Sequence, residues 1–199
     1  MKIVNIFAGP GAGKSTIACA LFAELKYRGI NCEYIPEYAK DATWEKRGPK
    51  VFQAQEYIFG KQNFRVSRVI EEVDLIITDS PVLMGTVYTP IDFPMPSLRA
   101  TIKEAHDLHN SLNVFIARKD ATGYNPIGRN QTPEEALAKD VEIRKMLTRY
   151  QIEHYPLFFS RGAAQEIIDL MFTIGWDKDL PNLYKDDPTH IARNENETE

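Results

Sequence analysis

Short apolar runs alternate along this chain with longer segments in which apolar residues recur every three or four positions. The short runs predict buried β-strands over residues 2–8, 31–36, 73–81, 112–118 and 154–159. The run at 73–81 is apolar without alternation, which is typical of a parallel strand whose two faces are both covered. We therefore expect a parallel sheet of about five strands.

Segments with helical spacing lie between these strands. They predict helices over 15–27, 53–73 and 162–172, and Thr132 begins another helix with a capping box and a proline at the first helical position. Residues 88–97 hold three prolines and are expected to form a loop over the C-terminal edge of the sheet. The alternation of strands and helices predicts an α/β fold with three layers, α/β/α.

The first predicted strand leads into AGPGAGKST, residues 8–16, directly before a helix. The P-loop pattern is glycine, four residues, then Gly-Lys-Ser/Thr, and here Ala8 stands at the first position. Backbone N–H groups and the positive end of the helix bind phosphates in such a loop, and the hydroxyl binds Mg²⁺. We therefore predict a P-loop NTPase fold that binds ATP and Mg²⁺. The predicted cofactor-binding residues are Gly9, Gly11, Ala12, Gly13, Lys14, Ser15 and Thr16, with the three glycines supplying positive φ angles and Ser15 as a metal ligand.

Two acids follow predicted strands and are expected at the same edge of the sheet. Asp79 ends the third strand, where P-loop proteins place an acid that binds Mg²⁺ directly or through water. Its neighbour is Ser80, so the adjacent second acid common in water-activating ATPases is absent. Glu37 follows the second strand, where a carboxylate can accept a proton from a hydroxyl that attacks the γ-phosphate. The alternatives are a turn cap for Asp79 and a solvated turn residue for Glu37.

The segment 118–132 is polar and carries Arg118, Lys119 and Arg129 just before the capping box. Phosphoryl transfer needs mobile positive charge over the transferred group, and a cationic lid supplies it while excluding water. We predict a mobile lid here, with Arg118 in ATP binding and Arg129 as a catalytic residue. The alternative is an ordinary exposed basic loop.

The composition of the 199 residues, 43% hydrophobic and 11% aromatic, is sufficient for the core of one domain. The net charge is −4, and residues 177–199 carry seven acids against three bases. We predict a kinase-sized domain at 1–176 and an acidic, disordered or loosely docked tail at 177–199. The remaining body is balanced in charge, which gives no support for a basic stripe that binds duplex DNA, although a local basic groove stays open.

Several other residues are expected to have structural roles. Cys19, Cys32, Trp44 and Tyr57 are expected in the core, and a base-stacking platform is the alternative for the two aromatic residues. A metal site at the histidine pair 106 and 109 is not favoured, because no third ligand is near in sequence. There is no apolar run of about 18 residues and no signal-peptide pattern at the N-terminus, so we expect no membrane partner and a cytoplasmic location. The expected solvated face of the helix at 53–73 consists of Gln55, Lys61, Gln62, Arg65 and Arg68.

Four segments, AGPGAGKST, EYAKD, TDSP and GRNQTPEEA, together resemble the small P-loop kinases of the nicotinamide riboside kinase and deoxynucleoside kinase group. They look closest to P-loop kinases of tailed phages, which include the 5-hydroxymethyluracil DNA kinases. The resemblance covers about residues 1–160 and implies an ATP- and Mg²⁺-dependent phosphotransferase. The roles it implies are a phosphate clamp for Lys14, magnesium ligation for Ser15 and Asp79, a base for Glu37 and a lid arginine for Arg129.

The acceptor that this resemblance favours is the hydroxymethyl group of hydroxymethyluracil in phage DNA, which would place the protein in the host cytoplasm. A free nucleoside such as nicotinamide riboside is the alternative acceptor. A different class of protein, an ATPase or a nucleotide-switched binding module, would need an activated water. An inactive P-loop fold used for assembly is a third possibility.

Overall fold

The computed structural model describes residues 1–118, 127, 131–180 and 182–183. Its five strands form one parallel sheet, as the sequence predicts. The strands are β1 (Lys2–Phe7), β2 (Cys32–Ile35), β3 (Leu75–Thr78), β4 (Asn110–Ala117) and β5 (Tyr155–Phe158). Their order in the sheet is β2-β3-β1-β4-β5, so β1 is the central strand. The phosphate loop that follows β1 therefore lies at the middle of the C-terminal edge of the sheet.

Helices connect the strands and cover both faces of the sheet. None of the helices in the described ranges is long and apolar enough to cross a membrane. Two 3₁₀-helices, Val82–Met84 and Trp176–Lys178, complete the elements. The α-helices are α1 (Lys14–Tyr27), α2 (Tyr38–Trp44), α3 (Pro49–Gln53), α4 (Gln55–Ser67), α5 (Gly85–Tyr88), α6 (Leu98–Asp107), α7 (Pro133–Arg149) and α8 (Ala163–Thr173).

Alternate side chains of β1 enter apolar clusters on opposite faces of the sheet, which explains why the strand is apolar on both faces. On one face Val4 packs in a cluster with Leu21 of α1 and Ile167 of α8. On the other face Phe7 packs in a cluster with Ile143 of α7. Because both faces of the sheet are covered, a polar side chain on either face of a central strand needs a hydrogen-bond partner. The predicted α/β/α arrangement is confirmed.

The predicted helix at 53–73 is shorter in the structure, because α4 ends at Ser67 and turns follow. Within those turns Glu71 has a φ of 76°, a left-handed conformation that no α-helix contains. The sequence also did not predict α6, whose apolar stripe holds only Leu98 and Ile102 as large apolar residues and continues with His106. A stripe interrupted by histidine gives a weak helical pattern, although the packed helix buries all three residues.

Three residues expected in the core lie at the surface. Cys19 is exposed because it lies off the buried stripe of α1, whereas Cys32 in β2 is buried as expected. Trp44 ends the short helix α2 and is 58% exposed, and Tyr57 on α4 is also exposed. Aromatic residues at such positions cover the rim of the fold instead of filling its interior.

Two predicted segments extend beyond the described residues. The predicted tail at 177–199 begins inside the packed structure, since Leu180 and Leu183 are buried in the same cluster as Trp176. The packed part of the chain therefore reaches Leu183, and the predicted tail after this point lies outside the described residues. Most of the predicted lid at 118–132 also lies outside them.

His106 is a buried titratable group on α6, 5% exposed and packed against the sheet. Burial lowers the pKa of this imidazole from 6.5 to about 4, and neighbouring Asp107 only partly opposes the effect. The folded chain therefore binds this proton less readily than the unfolded chain. The contribution of His106 to the free energy of unfolding is therefore complete above the pKa of this histidine in the unfolded chain. It is lost as the pH falls toward the pKa of His106 in the folded chain.

We expect His106→Gln to reduce the acid sensitivity of the fold. Between about pH 7 and about pH 5 the wild-type chain should lose roughly 2 kcal/mol of unfolding free energy through this histidine. The variant should lose less unfolding free energy over the same pH interval, whatever its stability at neutral pH. Urea unfolding at both pH values measures the difference, and equal losses in the two proteins would contradict the prediction.

Candidate functional site

The phosphate loop connects β1 to α1 with two glycines in left-handed conformations. Gly11 has a φ of 78° and Gly13 a φ of 90°. A Cβ atom added to Gly13 would also lie 2.2 Å from a ring carbon of Phe159, so no other residue fits there. Ala8 is completely buried, and its methyl group is tolerated at the position where the P-loop pattern has glycine. The loop thus has the expected conformation despite this departure.

Ser15 and Asp79 meet beside the loop, as the sequence predicts. The Ser15 hydroxyl donates a hydrogen bond to Asp79 Oδ2. Asp79 is 2% exposed, and its other oxygen, Oδ1, is buried without a hydrogen-bond partner among the described residues. A buried carboxylate oxygen without a donor is costly unless a cation neutralises it. The pair therefore fits a Mg²⁺ ion, which prefers oxygen ligands.

Lys14 lies among three carboxylates that come from different elements. Burial lowers the pKa of its ammonium group, while Glu37, Asp79 and Asp140 raise it in that order of size. The Lys14 Nζ donates a hydrogen bond to the carbonyl oxygen of Gly9 at 3.1 Å. The structure thus brings the predicted residues Lys14, Glu37 and Asp79 into one electrostatic cluster.

A cleft of about 780 Å³ begins at the loop and continues to α3 and α4. Glu37, the residue before α2, lines this cleft. Tyr88 of α5 lies nearby, and burial followed by the charge of Glu37 raises the pKa of its hydroxyl. This hydroxyl is therefore a permanent hydrogen-bond donor beside the carboxylate. Side chains at the far end of the cleft include Phe52, Gln55, Phe59, Gln62 and Met84.

Gln55 and Gln62 do not belong to the solvated face of the helix, contrary to expectation. They are 8% and 5% exposed and line the cleft. Gln62 Oε1 accepts a hydrogen bond from the backbone N–H of Tyr38 at 2.8 Å, which joins α4 to the start of α2. Both glutamines and Phe59 lie on one face of α4, since positions four and seven apart coincide on a helix. The sequence carried this spacing, but only the packing of α2 over it shows that the face is buried.

The predicted site arginines have different positions. Arg129 lies outside the described residues, and its catalytic role stays a prediction. Arg118 follows β4 directly. It donates from Nη1 to the carbonyl of Pro10 at 2.9 Å and from Nη2 to the carbonyl of Ala136 at 3.2 Å. Its Nε donates to Asp140 Oδ2 at 2.5 Å. Arg118 therefore contacts the outer side of the phosphate loop, and its predicted contact with ATP stays a prediction.

Asp140 is a site residue that the sequence analysis missed. It lies on α7 and accepts a hydrogen bond from the backbone N–H of Gly9 at 2.6 Å. The signal in the sequence is an acid within the buried stripe of α7, between Ala136 and Ile143. A carboxylate in an apolar stripe needs a charged or hydrogen-bonding partner, which the spacing along one helix does not reveal.

Gly9 is required for close packing and not for a positive φ, which corrects the expectation for this glycine. A Cβ atom there would lie 2.5 Å from the carbonyl oxygen of Ala136, 2.8 Å from Asp140 Oδ1 and 2.9 Å from Arg118 Nη2. Helix α7 therefore packs directly on the backbone of the loop.

We expect Gly9→Ala to destabilise the fold by about 1–3 kcal/mol, because a backbone carbonyl cannot move aside for the methyl group. Gly60→Ala is the matched control, since Gly60 lies inside α4 with open space around it. Gly60→Ala should raise the free energy of unfolding by as much as about 1 kcal/mol, because alanine has a higher helix propensity than glycine. Urea unfolding of both variants measures the effect, and a Gly9→Ala protein as stable as wild type would contradict the packing argument.

Solved structures of kinases share this fold. The deoxyadenosine kinase from M. mycoides, solved with the products dCMP and a flexible dCDP, has a TM-score of 0.54 at 16% identity over 87% of this chain and 100% of its own. The shikimate kinase from Acinetobacter baumannii, solved with shikimate, has a TM-score of 0.53 at 18% identity over 87% of this chain and 94% of its own. The five-stranded parallel sheet with flanking helices is thus the α/β fold of P-loop kinases.

A search of curated proteins found no match to this sequence. A family model described as an AAA domain matches residues 3–163, which include the phosphate loop, Glu37, Asp79 and Asp140. Because this match spans most of the chain, the protein belongs to the AAA domain family.

Proposed function

We propose that the protein is an ATP- and Mg²⁺-dependent phosphotransferase that acts on a hydroxyl group of a nucleoside-like acceptor. The observation that carries this proposal is the single cleft of about 780 Å³, with a phosphate loop at one end and a buried amide and aromatic surface at the other. Glu37 lines the same cleft. A cleft of this size accommodates both a nucleotide and a second small molecule.

The phosphate end supplies binding groups for ATP. Gly11 and Gly13 orient backbone N–H groups at the N-terminus of α1, and Lys14 adds a positive charge for the outer phosphates. Ser15 and Asp79 would hold Mg²⁺, which neutralises phosphate charge when bound. This support is independent of the identity of the acceptor.

Glu37 is proposed as the general base. Its carboxylate would accept the proton of the acceptor hydroxyl while the hydroxyl oxygen forms a bond to the γ-phosphorus and ADP leaves. Glu37 lines the cleft, and its charge acts both on Lys14 of the phosphate loop and on Tyr88 of α5. The serine after Asp79 offers no second acid that would activate a water, which supports transfer over hydrolysis.

The far end of the cleft fits a planar base. The ring of Phe59 offers an apolar face. The amide of Gln55 donates to the carbonyl of Phe52, and that of Gln62 is held by the backbone of Pro36 and Tyr38. These bonds fix both amides, and each amide keeps a second N–H and a further acceptor site that can pair with the edge of a base. All three side chains project from α4, which fixes them relative to one another. This surface supports a nucleoside-like acceptor.

Local charge supports an acceptor within DNA. Within DNA, the resemblance of the sequence to phage P-loop kinases favours the hydroxymethyl group of hydroxymethyluracil. Residues 38–68, which form α2 to α4 around the far end of the cleft, carry seven lysines and arginines against three acids, although the whole chain has a net charge of −4. Lys40 lines the cleft, and Lys46 and Lys50 are exposed beyond it. Exposed Trp44 lies among them, and basic residues beside an exposed aromatic are typical of surfaces that bind single strands. A free nucleoside is the alternative acceptor, and it needs none of these charges.

We expect Glu37→Gln to lower phosphate transfer by about 100-fold or more near neutral pH while ATP binding is retained, because the amide cannot accept the proton. Transfer is measured with γ-labelled ATP and a panel of nucleosides, nucleotides and hydroxymethyluracil-containing DNA. Glu56→Gln is the control, because Glu56 is exposed on α4 and does not line the cleft. Free phosphate release without labelling of any acceptor, undiminished in the Glu37 variant, would identify an ATPase instead.

We expect Lys46→Glu combined with Lys50→Glu to weaken binding of hydroxymethyluracil-containing DNA and to leave phosphorylation of a free nucleoside unchanged. The slope of log affinity against log salt should fall by about 1 for each lysine. Lys26→Glu combined with Lys178→Glu is the matched control, because these lysines lie toward the opposite edge of the sheet. Equal DNA affinity and slope in the two double variants would favour the free nucleoside.

A further inference from the structure

We propose that Asp140 is a positioning residue that holds the phosphate loop in its ATP-binding conformation, acting through Gly9 and together with Arg118. The inference rests on the proposed ATP site but not on the identity of the acceptor. It assigns a function to a buried ion pair on the outer side of the loop, away from the side that faces the cleft.

Asp140 and Arg118 fix two consecutive residues of the loop from outside. The Gly9 N–H donates to Asp140 Oδ1 at 2.6 Å, and Arg118 Nη1 donates to the carbonyl of Pro10 at 2.9 Å. The two side chains also bind each other, through Arg118 Nε and Asp140 Oδ2. Charge-assisted hydrogen bonds of this kind are short and directional, so they restrict the backbone more than neutral bonds do.

Gly9 connects Asp140 to the lysine of the P-loop. Its N–H binds Asp140, and its carbonyl oxygen accepts the hydrogen bond from Lys14 Nζ at 3.1 Å. A displacement of Gly9 would therefore move both the loop backbone and the anchor of the Lys14 side chain. Asp140 reaches the phosphate end in this way without lining the cleft itself.

The ion pair between Arg118 and Asp140 is buried beside a capped helix. The side chains of Arg118 and Asp140 are 12% and 8% exposed. Helix α7 carries Asp140, and its N-terminus is held by the capping box of Thr132 and Glu135. Because a buried pair loses much of its solvation, removal of one charge leaves the other uncompensated. Substitution of either residue therefore perturbs the ion pair strongly, so a variant at either position can test its role.

The test is the binding of a fluorescent ATP analogue near neutral pH. For Asp140→Asn we expect about tenfold or greater loss of affinity, because the charge that holds the Gly9 N–H and pairs with Arg118 is removed. Arg118→Gln, which removes the hydrogen bond to the Pro10 carbonyl, should also weaken binding. Asp140→Glu, which retains the charge, should recover affinity toward that of the wild type.

Asp169→Asn is the matched control, because Asp169 is exposed on α8. Circular dichroism establishes that the variants are folded, and the Arg118 variant tests the inference if the Asp140 variant does not fold. Unchanged affinity in Asp140→Asn, or equal losses of affinity in Asp140→Asn and Asp140→Glu, would overturn the positioning role. A wild-type protein that does not bind the analogue would contradict the proposed function itself.

Discussion

The position of one positive charge organises the phosphate end of the cleft. Lys14 lines the cleft and donates from Nζ to the carbonyl of Gly9, and carboxylates from three elements act on its charge. Glu37 follows β2, Asp79 follows β3 and Asp140 projects from α7, so the cluster closes only when the sheet order and the position of α7 are correct. The phosphate loop depends on this cluster, because Lys14 and Asp140 both bind Gly9.

The same arrangement explains why the cleft has two unlike ends. Parallel strands end at one edge, so the loop after β1 and the acids after β2 and β3 converge there without any sequence proximity. The helices that follow β2 pack beside them and contribute amide, aromatic and basic side chains instead of carboxylates. One end of the cleft thus suits phosphates and the other a planar group, which is the chemical basis of the proposed phosphotransfer to a nucleoside-like acceptor.

Where the local pattern was strong, prediction from the sequence was accurate. All five strands were predicted because each is a short apolar run, and α7 because its capping box is a local motif. Three features were not predicted correctly: the end of the predicted helix at 53–73, the whole of α6, and the burial of Gln55 and Gln62. Each of them depends on which surfaces pack over the segment. The exposure of Cys19 and Trp44 has the same origin, since hydrophobic character alone does not specify which face of a short or amphipathic helix is covered.

The sequence alone determined the fold class, the phosphate loop and the pairing of Ser15 with Asp79, because these follow from strand periodicity and from a motif whose residues are adjacent or end neighbouring strands. Only the tertiary structure decided why Gly9 must be glycine and what Asp140 and Arg118 bind. Gly9 and Asp140 lie more than 130 positions apart along the chain. Contacts over such a separation depend on how an entire helix is docked, which no local pattern of residues encodes.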